Sequence, residues 1–169
     1  MITLVIGGMN SGKSKYAEDI IRTKYKDLKG YYIATMIPYG EFGEEKIAKH
    51  RSMRSDLELT TIEDPYLDES LDIISKEAND RRRVLIMEDL SNLIANYMFE
   101  RKTDYSGAIS RLVRLGEKHE LIIVALCLDA NDKSQSYDAE TINYITEMNK
   151  VIEHISSVAD NVVYMNNLE

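Results

Sequence analysis

Gly7-Gly8-Met9-Asn10-Ser11-Gly12-Lys13-Ser14 is a complete G-x-x-x-x-G-K-[ST] phosphate loop, set directly after an apolar run at residues 2–6 and before a stretch with helical spacing. The chemistry explains the pattern. Gly7 and Gly12 let the backbone fold around an anion, so that consecutive N–H groups and the N-terminus of the following helix face phosphate. Lys13 is placed to reach the β- and γ-phosphates, and the Ser14 hydroxyl to ligate Mg²⁺. Strand, loop and helix occur in the order such a loop requires, so the sequence predicts a nucleoside triphosphate site.

Outward from that loop, apolar runs alternate with longer amphipathic stretches, the pattern of a mostly parallel sheet with crossover helices. Strands are expected at residues 2–6, 31–34, 57–62, 83–87, 121–126 and 161–165. Helices are expected between them, with Tyr16, Ala17, Ile20 and Ile21 at helical spacing in 13–25, and Ile142, Ile145, Met148, Val151, Ile152 and Ile155 in 139–158. Residues 36–43 and 129–137 read as loops. The expected fold is therefore an α/β three-layer phosphate-loop domain of the RecA-like kind, with nucleotide at the carboxyl ends of the strands.

The chain has 169 residues and 44% hydrophobic content, enough for one domain spanning 1–169 and its core. With 29 acidic against 21 basic residues and a formal charge of −8, it is a poor match for nucleic acid or an anionic membrane, and its polyanion should be small. No apolar stretch approaches a membrane span, which predicts a cytoplasmic protein. The single cysteine, Cys127, cannot form an internal disulfide and reads as part of a buried strand. The acid-rich stretch 63–72 reads as a solvated helix start.

Two further places carry candidate chemistry. The strand Val84-Leu85-Ile86-Met87-Glu88-Asp89 ends on two carboxylates, where a phosphate-loop enzyme keeps the acid that organises Mg²⁺; Glu88 or Asp89 can serve, and Asp89 also suits a helix cap. In Lys46-Ile47-Ala48-Lys49-His50-Arg51-Ser52-Met53-Arg54, helical spacing puts Lys46, His50 and Arg54 on one face. Such a face suits phosphate, and a neutral imidazole there has a nitrogen able to attack phosphorus; by itself the stretch fits a solvated basic helix better. His119 and His154 fall near predicted helix ends, where a surface or C-terminal role is expected.

Taken together, these segments resemble the bifunctional adenosylcobinamide kinase / adenosylcobinamide-phosphate guanylyltransferase family of cobalamin biosynthesis. The matching pieces are Thr3-Leu4-Val5-Ile6-Gly7-Gly8, Ser11-Gly12-Lys13-Ser14-Lys15-Tyr16-Ala17-Glu18, Tyr32-Ile33-Ala34-Thr35, the histidine helix, Thr61-Ile62-Glu63, and Leu85-Ile86-Met87-Glu88-Asp89-Leu90-Ser91-Asn92-Leu93-Ile94-Ala95-Asn96. The resemblance implies phosphorylation of adenosylcobinamide with ATP or GTP, then transfer of GMP from GTP to the new phosphate through a guanylylated histidine. By motif position that histidine is His50. Arg51 and Arg54 would hold GTP phosphates, Glu63 would lie near the guanosine, Ala34 and Thr35 would border the nucleotide, and Glu88 would be the acidic strand-end residue ligating Mg²⁺ with Ser14. Family members form trimers with the active site near a subunit boundary, so a homo-oligomer is implied.

After residue 120 the pattern departs from the family. Val124-Ala125-Leu126-Cys127-Leu128-Asp129 lacks the usual Asn-Glu and following glycine, and the next helix keeps Asn149 but has no arginine. These positions belong to the part expected to meet the corrinoid or a neighbouring subunit. Two alternatives stay open on the sequence: a phosphate-loop kinase or NTPase acting on another acceptor, and a non-catalytic nucleotide-binding paralogue.

Overall fold

A computed structural model of the chain describes residues 1–165. Six strands, β1 (Ile2–Gly7), β2 (Gly30–Ala34), β3 (Leu59–Glu63), β4 (Val84–Glu88), β5 (Glu120–Leu126) and β6 (Asn161–Met165), form one sheet in the order β3-β2-β4-β5-β1-β6. Every described pairing is parallel, so the mostly parallel sheet expected from the sequence is wholly parallel here. The helices are α1 (Lys13–Lys24), α2 (Gly40–Met53), α3 (Ser70–Ala78), α4 (Leu90–Ala95), which runs on as a π-helical segment at Asn96–Arg101, α5 (Ser106–Lys118) and α6 (Ala139–Val158).

Parallel strands need crossover elements, and these cover both faces, which is why the central strands read as apolar runs rather than alternating ones. The alternation persists inside the runs. Leu4, Ile33, Leu85, Met87, Leu121 and Ile123 enter one core with Ile74, Leu93, Leu112 and Met148 from α3 to α6. Val5, Tyr32, Ile86, Ile122 and Val124 enter a smaller core with Ala17, Ile21 and Tyr25. α2 buries none of its residues and leaves Phe42 and Met53 exposed, so the half of that second face over β2 and β3 is only lightly covered.

Four expectations need correction. α2 begins at Gly40, inside the segment read as a loop to residue 43; Glu41 in its first turn is favoured by the positive end of the helix dipole. Cys127 is exposed, because β5 ends at Leu126, opposite Gly7; only the Cys127 backbone N–H stays with the sheet, donating to the Gly7 carbonyl at 3.0 Å. A thiol reagent should therefore titrate this cysteine in the native protein, without denaturant. Asp64, in the stretch read as solvated, is buried and accepts from the N–H groups of Asp68, Glu69 and Ser70 and from the Ser70 hydroxyl, at 2.7–2.9 Å. It ties the turn after β3 to the start of α3, because a buried carboxylate is tolerated only when its oxygens are satisfied.

His119 caps the C-terminus of α5, as its place near a helix end suggested, but it is buried rather than superficial, at 5% exposure. Its Nδ1 accepts from the Arg83 N–H at 3.2 Å. Burial, and then the nearby cations of Arg83, Lys118, the N-terminus and Arg82, hold the imidazole below its ordinary value. The unfolded chain, with His119 near pKa 6.5, then binds a proton that the folded chain resists. Stability from this site is complete above that value and is lost as pH falls toward the depressed folded value, by up to about 1.4 kcal/mol per pH unit. Urea titrations at pH 7 and pH 5 should show a smaller acid loss for His119→Gln than for the parent; equal losses would refute the assignment.

Candidate active site

The phosphate loop leaves β1 at Gly7 and enters α1 at Lys13. Two of its glycines are required by the geometry. A Cβ at Gly7 would lie 2.3 Å from the Ser11 Oγ, and Gly12 caps α1 in the left-handed region at φ 80°. The turn thereby directs the N-terminus of α1 into the cleft, and the Lys13 ammonium lies over the loop, donating to the Gly8 carbonyl at 3.0 Å. Met9, Asn10, Ser11, Gly12, Lys13 and Ser14 all face one cleft of about 1070 Å³.

One strand, β5, separates β1 from β4, yet the first turn of α1 reaches the end of β4: the Ser14 hydroxyl donates to Glu88 Oε1. The other carboxylate oxygen, Oε2, accepts from the Tyr32 hydroxyl at 2.9 Å. Asp89, next in the chain, takes the role of helix cap, accepting from both the N–H and the hydroxyl of Ser91 at 2.6 Å. Burial raises its carboxyl above the ordinary range, against those hydrogen bonds and the charge of Lys13. The two acids that the sequence could not separate thus divide the work: Glu88 faces Ser14, and Asp89 starts α4.

A hydroxyl and a carboxylate in contact at a cleft wall are hard oxygen donors of the kind Mg²⁺ accepts. That ion commonly takes one or two protein ligands and completes its shell with phosphate and water. The loop, with the N-terminus of α1 and the Lys13 ammonium turned to the cleft, likewise fits a polyphosphate.

The opposite wall comes from α2. Lys46, His50, Arg51 and Arg54 line the same cleft as the phosphate loop, as do Ala34 and Glu63 at the ends of β2 and β3. Arg51 pairs with Glu63, both more than half exposed, and a surface pair of this kind contributes at most about 1 kcal/mol, so a ligand can separate them. Arg54 is buried, its guanidinium carbon 3.4 Å from the centroid of the Tyr32 ring. Thr35 is fully buried; its hydroxyl is shared between the Glu88 and Asp89 carbonyls and accepts from the Asp89 N–H, so it shapes the end of β4. Gly7 and Gly8 supply the bend and the Lys13 acceptor.

Sequence reasoning missed Tyr32 and Glu18. Tyr32 and Ala34 share a face of β2, the signal that could have placed Tyr32 in the cleft. Glu18 lies one helical turn after Ser14 in the cleft wall; burial raises its carboxyl, with Arg22 opposing and Glu88 adding to the effect.

The family model described as "Cobinamide kinase / cobinamide phosphate guanyltransferase" matches residues 3–167. No curated protein matches the chain. Among solved structures, the chain is similar to the flagellar accessory protein FlaH from Methanocaldococcus jannaschii, with a TM-score of 0.51 and 15% identity over 96% of this chain and 70% of that one. At that identity the likeness supports the RecA-like phosphate-loop fold alone. Among the described residues no helix is long and apolar enough to cross a membrane.

Proposed function

The chain belongs to the cobinamide kinase / cobinamide phosphate guanyltransferase family, and we propose that it phosphorylates adenosylcobinamide and then transfers GMP to the product through His50. The observation that carries this reading is the shared cleft: a histidine in a cationic helix faces the phosphate loop across a space large enough for a nucleotide and part of an acceptor.

In the first reaction the acceptor hydroxyl oxygen attacks the γ-phosphorus of ATP or GTP. An O–P bond forms, the bond to the β-phosphate oxygen breaks, the nucleoside diphosphate leaves, and the hydroxyl proton passes to solvent. Lys13 and the N–H groups of the loop bear the charge on the transferring group. In the second reaction a His50 ring nitrogen attacks the α-phosphorus of GTP. A P–N bond forms as the α–β anhydride breaks and pyrophosphate departs; the corrinoid phosphate oxygen then attacks the same phosphorus, breaks the P–N bond and frees the histidine. Arg51 and Arg54 hold phosphate oxygens and Glu63 lies toward the guanosine. Ser14 and Glu88 would hold Mg²⁺, which when bound would supply charge neutralisation to the phosphates.

Incubation with adenosylcobinamide and ATP should yield the corrinoid phosphate, and addition of GTP should yield the GDP-linked corrinoid with one pyrophosphate released per product. Consumption of nucleotide without either corrinoid product would reject the acceptor. We also propose assembly as a homotrimer, supported by the resemblance to a family whose members form trimers; light scattering of the purified chain reads this directly.

A further inference from the structure

Tyr32 touches both walls of the cleft. Its hydroxyl holds Glu88 Oε2 at 2.9 Å, leaving Oε1 to Ser14, while its ring carries the Arg54 guanidinium at 3.4 Å. Tyr32 is 5% exposed and Arg54 6%, whereas α2, which ends one residue before Arg54, buries nothing. Arg54 is thus the pin of an otherwise loosely held helix, and Tyr32 is its seat. Glu18 on α1 faces the same group of charges, adding its carboxylate beside Glu88 and Arg54. A phenylalanine would fill the same place in the β2 face, so packing alone does not call for the hydroxyl; a phenol that merely needed a partner on burial would leave metal use indifferent to its loss.

We propose that Tyr32 is a positioning residue with two separable roles. Its hydroxyl orients the Glu88 carboxylate toward the Mg²⁺ position beside Ser14, and its ring holds Arg54, and so the His50-bearing end of α2, against the cleft. The inference rests on the reading of Ser14 and Glu88 as the Mg²⁺ ligands and of His50 as the nucleophile.

The full chain with Tyr32→Phe or Tyr32→Leu tests each role apart, once a cooperative thermal transition shows that both variants fold. Binding of a fluorescent GTP analogue across a Mg²⁺ series reads the hydroxyl: both variants should need about ten-fold more Mg²⁺ for half-maximal binding, the loss of one hydrogen bond to a charged group. Tryptic cleavage after Arg54, identified by mass, reads the ring: Tyr32→Phe should be cut like the parent and Tyr32→Leu about ten-fold faster, the loss of one buried cation–π contact. An unshifted Mg²⁺ curve for Tyr32→Phe, or equal cleavage of Tyr32→Phe and Tyr32→Leu, overturns the proposal. Failure of the parent to form a GMP adduct would instead reject the role of His50, while the binding and cleavage results still decide what Tyr32 does.

Discussion

Lys13→Ala should lower both γ-phosphoryl transfer and GMP transfer by roughly 10²–10³-fold, the usual loss when one preorganised charge facing a developing anion is removed. The ammonium lies over the loop on the Gly8 carbonyl, at the mouth of the cradle, and no other lysine comes from the loop itself. Both reactions suffer because both build charge on phosphates in the same cradle, on the transferring group in one and on pyrophosphate in the other. Lys13→Arg should not restore the rate, since a planar fork does not replace a compact charge at a site shaped for one. Initial rates of the two transfers, measured beside a thermal melt that stays close to that of the parent, check this. A variant that turned over like the parent would remove the phosphate loop from the chemistry.

His50→Ala should separate the two reactions. GMP transfer should fall by about 10⁴-fold or more, the scale of losing a covalent nucleophile, while γ-phosphoryl transfer, which needs the loop and not the imidazole, falls far less. α2 buries none of its residues, so truncating His50 opens no core cavity and the variant should fold. Product analysis with ATP alone and with ATP plus GTP measures the two activities in one preparation. Parallel loss of both would mean that His50 holds nucleotide generally and is not the group that carries GMP.

The elements were legible where burial and length agree. β6 falls at 161–165 and α6 at 139–158, as their apolar spacing predicts, and α1 differs from expectation by one residue at its end. The site was legible where chemistry dictates spacing: the phosphate loop, the acid at the end of β4 and the histidine helix meet in one cleft. Less was visible where a position depends on several elements at once. The strand order that puts β5 between β1 and β4, and so lets Ser14 reach Glu88, leaves no local trace. Tyr32 lies in an apolar strand whose sequence reads the same whether a helix or an open cleft lies over its face, so its place in the cleft is concealed. Cys127 was misplaced because the apolar run continues two residues past the end of β5, to Leu128, and Asp64 because a buried carboxylate satisfied by three N–H groups looks, in sequence, like any solvated acid.

The central claim is that the cleft brings His50 to the α-phosphate of a nucleotide held by the phosphate loop. Incubating the parent chain with Mg²⁺ and GTP labelled on its α-phosphate, without corrinoid, measures this most directly. An acid-labile label should appear on the protein, map to His50, form with one pyrophosphate released per label, and be absent from His50→Ala. A chain that binds GTP in a Mg²⁺-dependent manner yet acquires no label would contradict it.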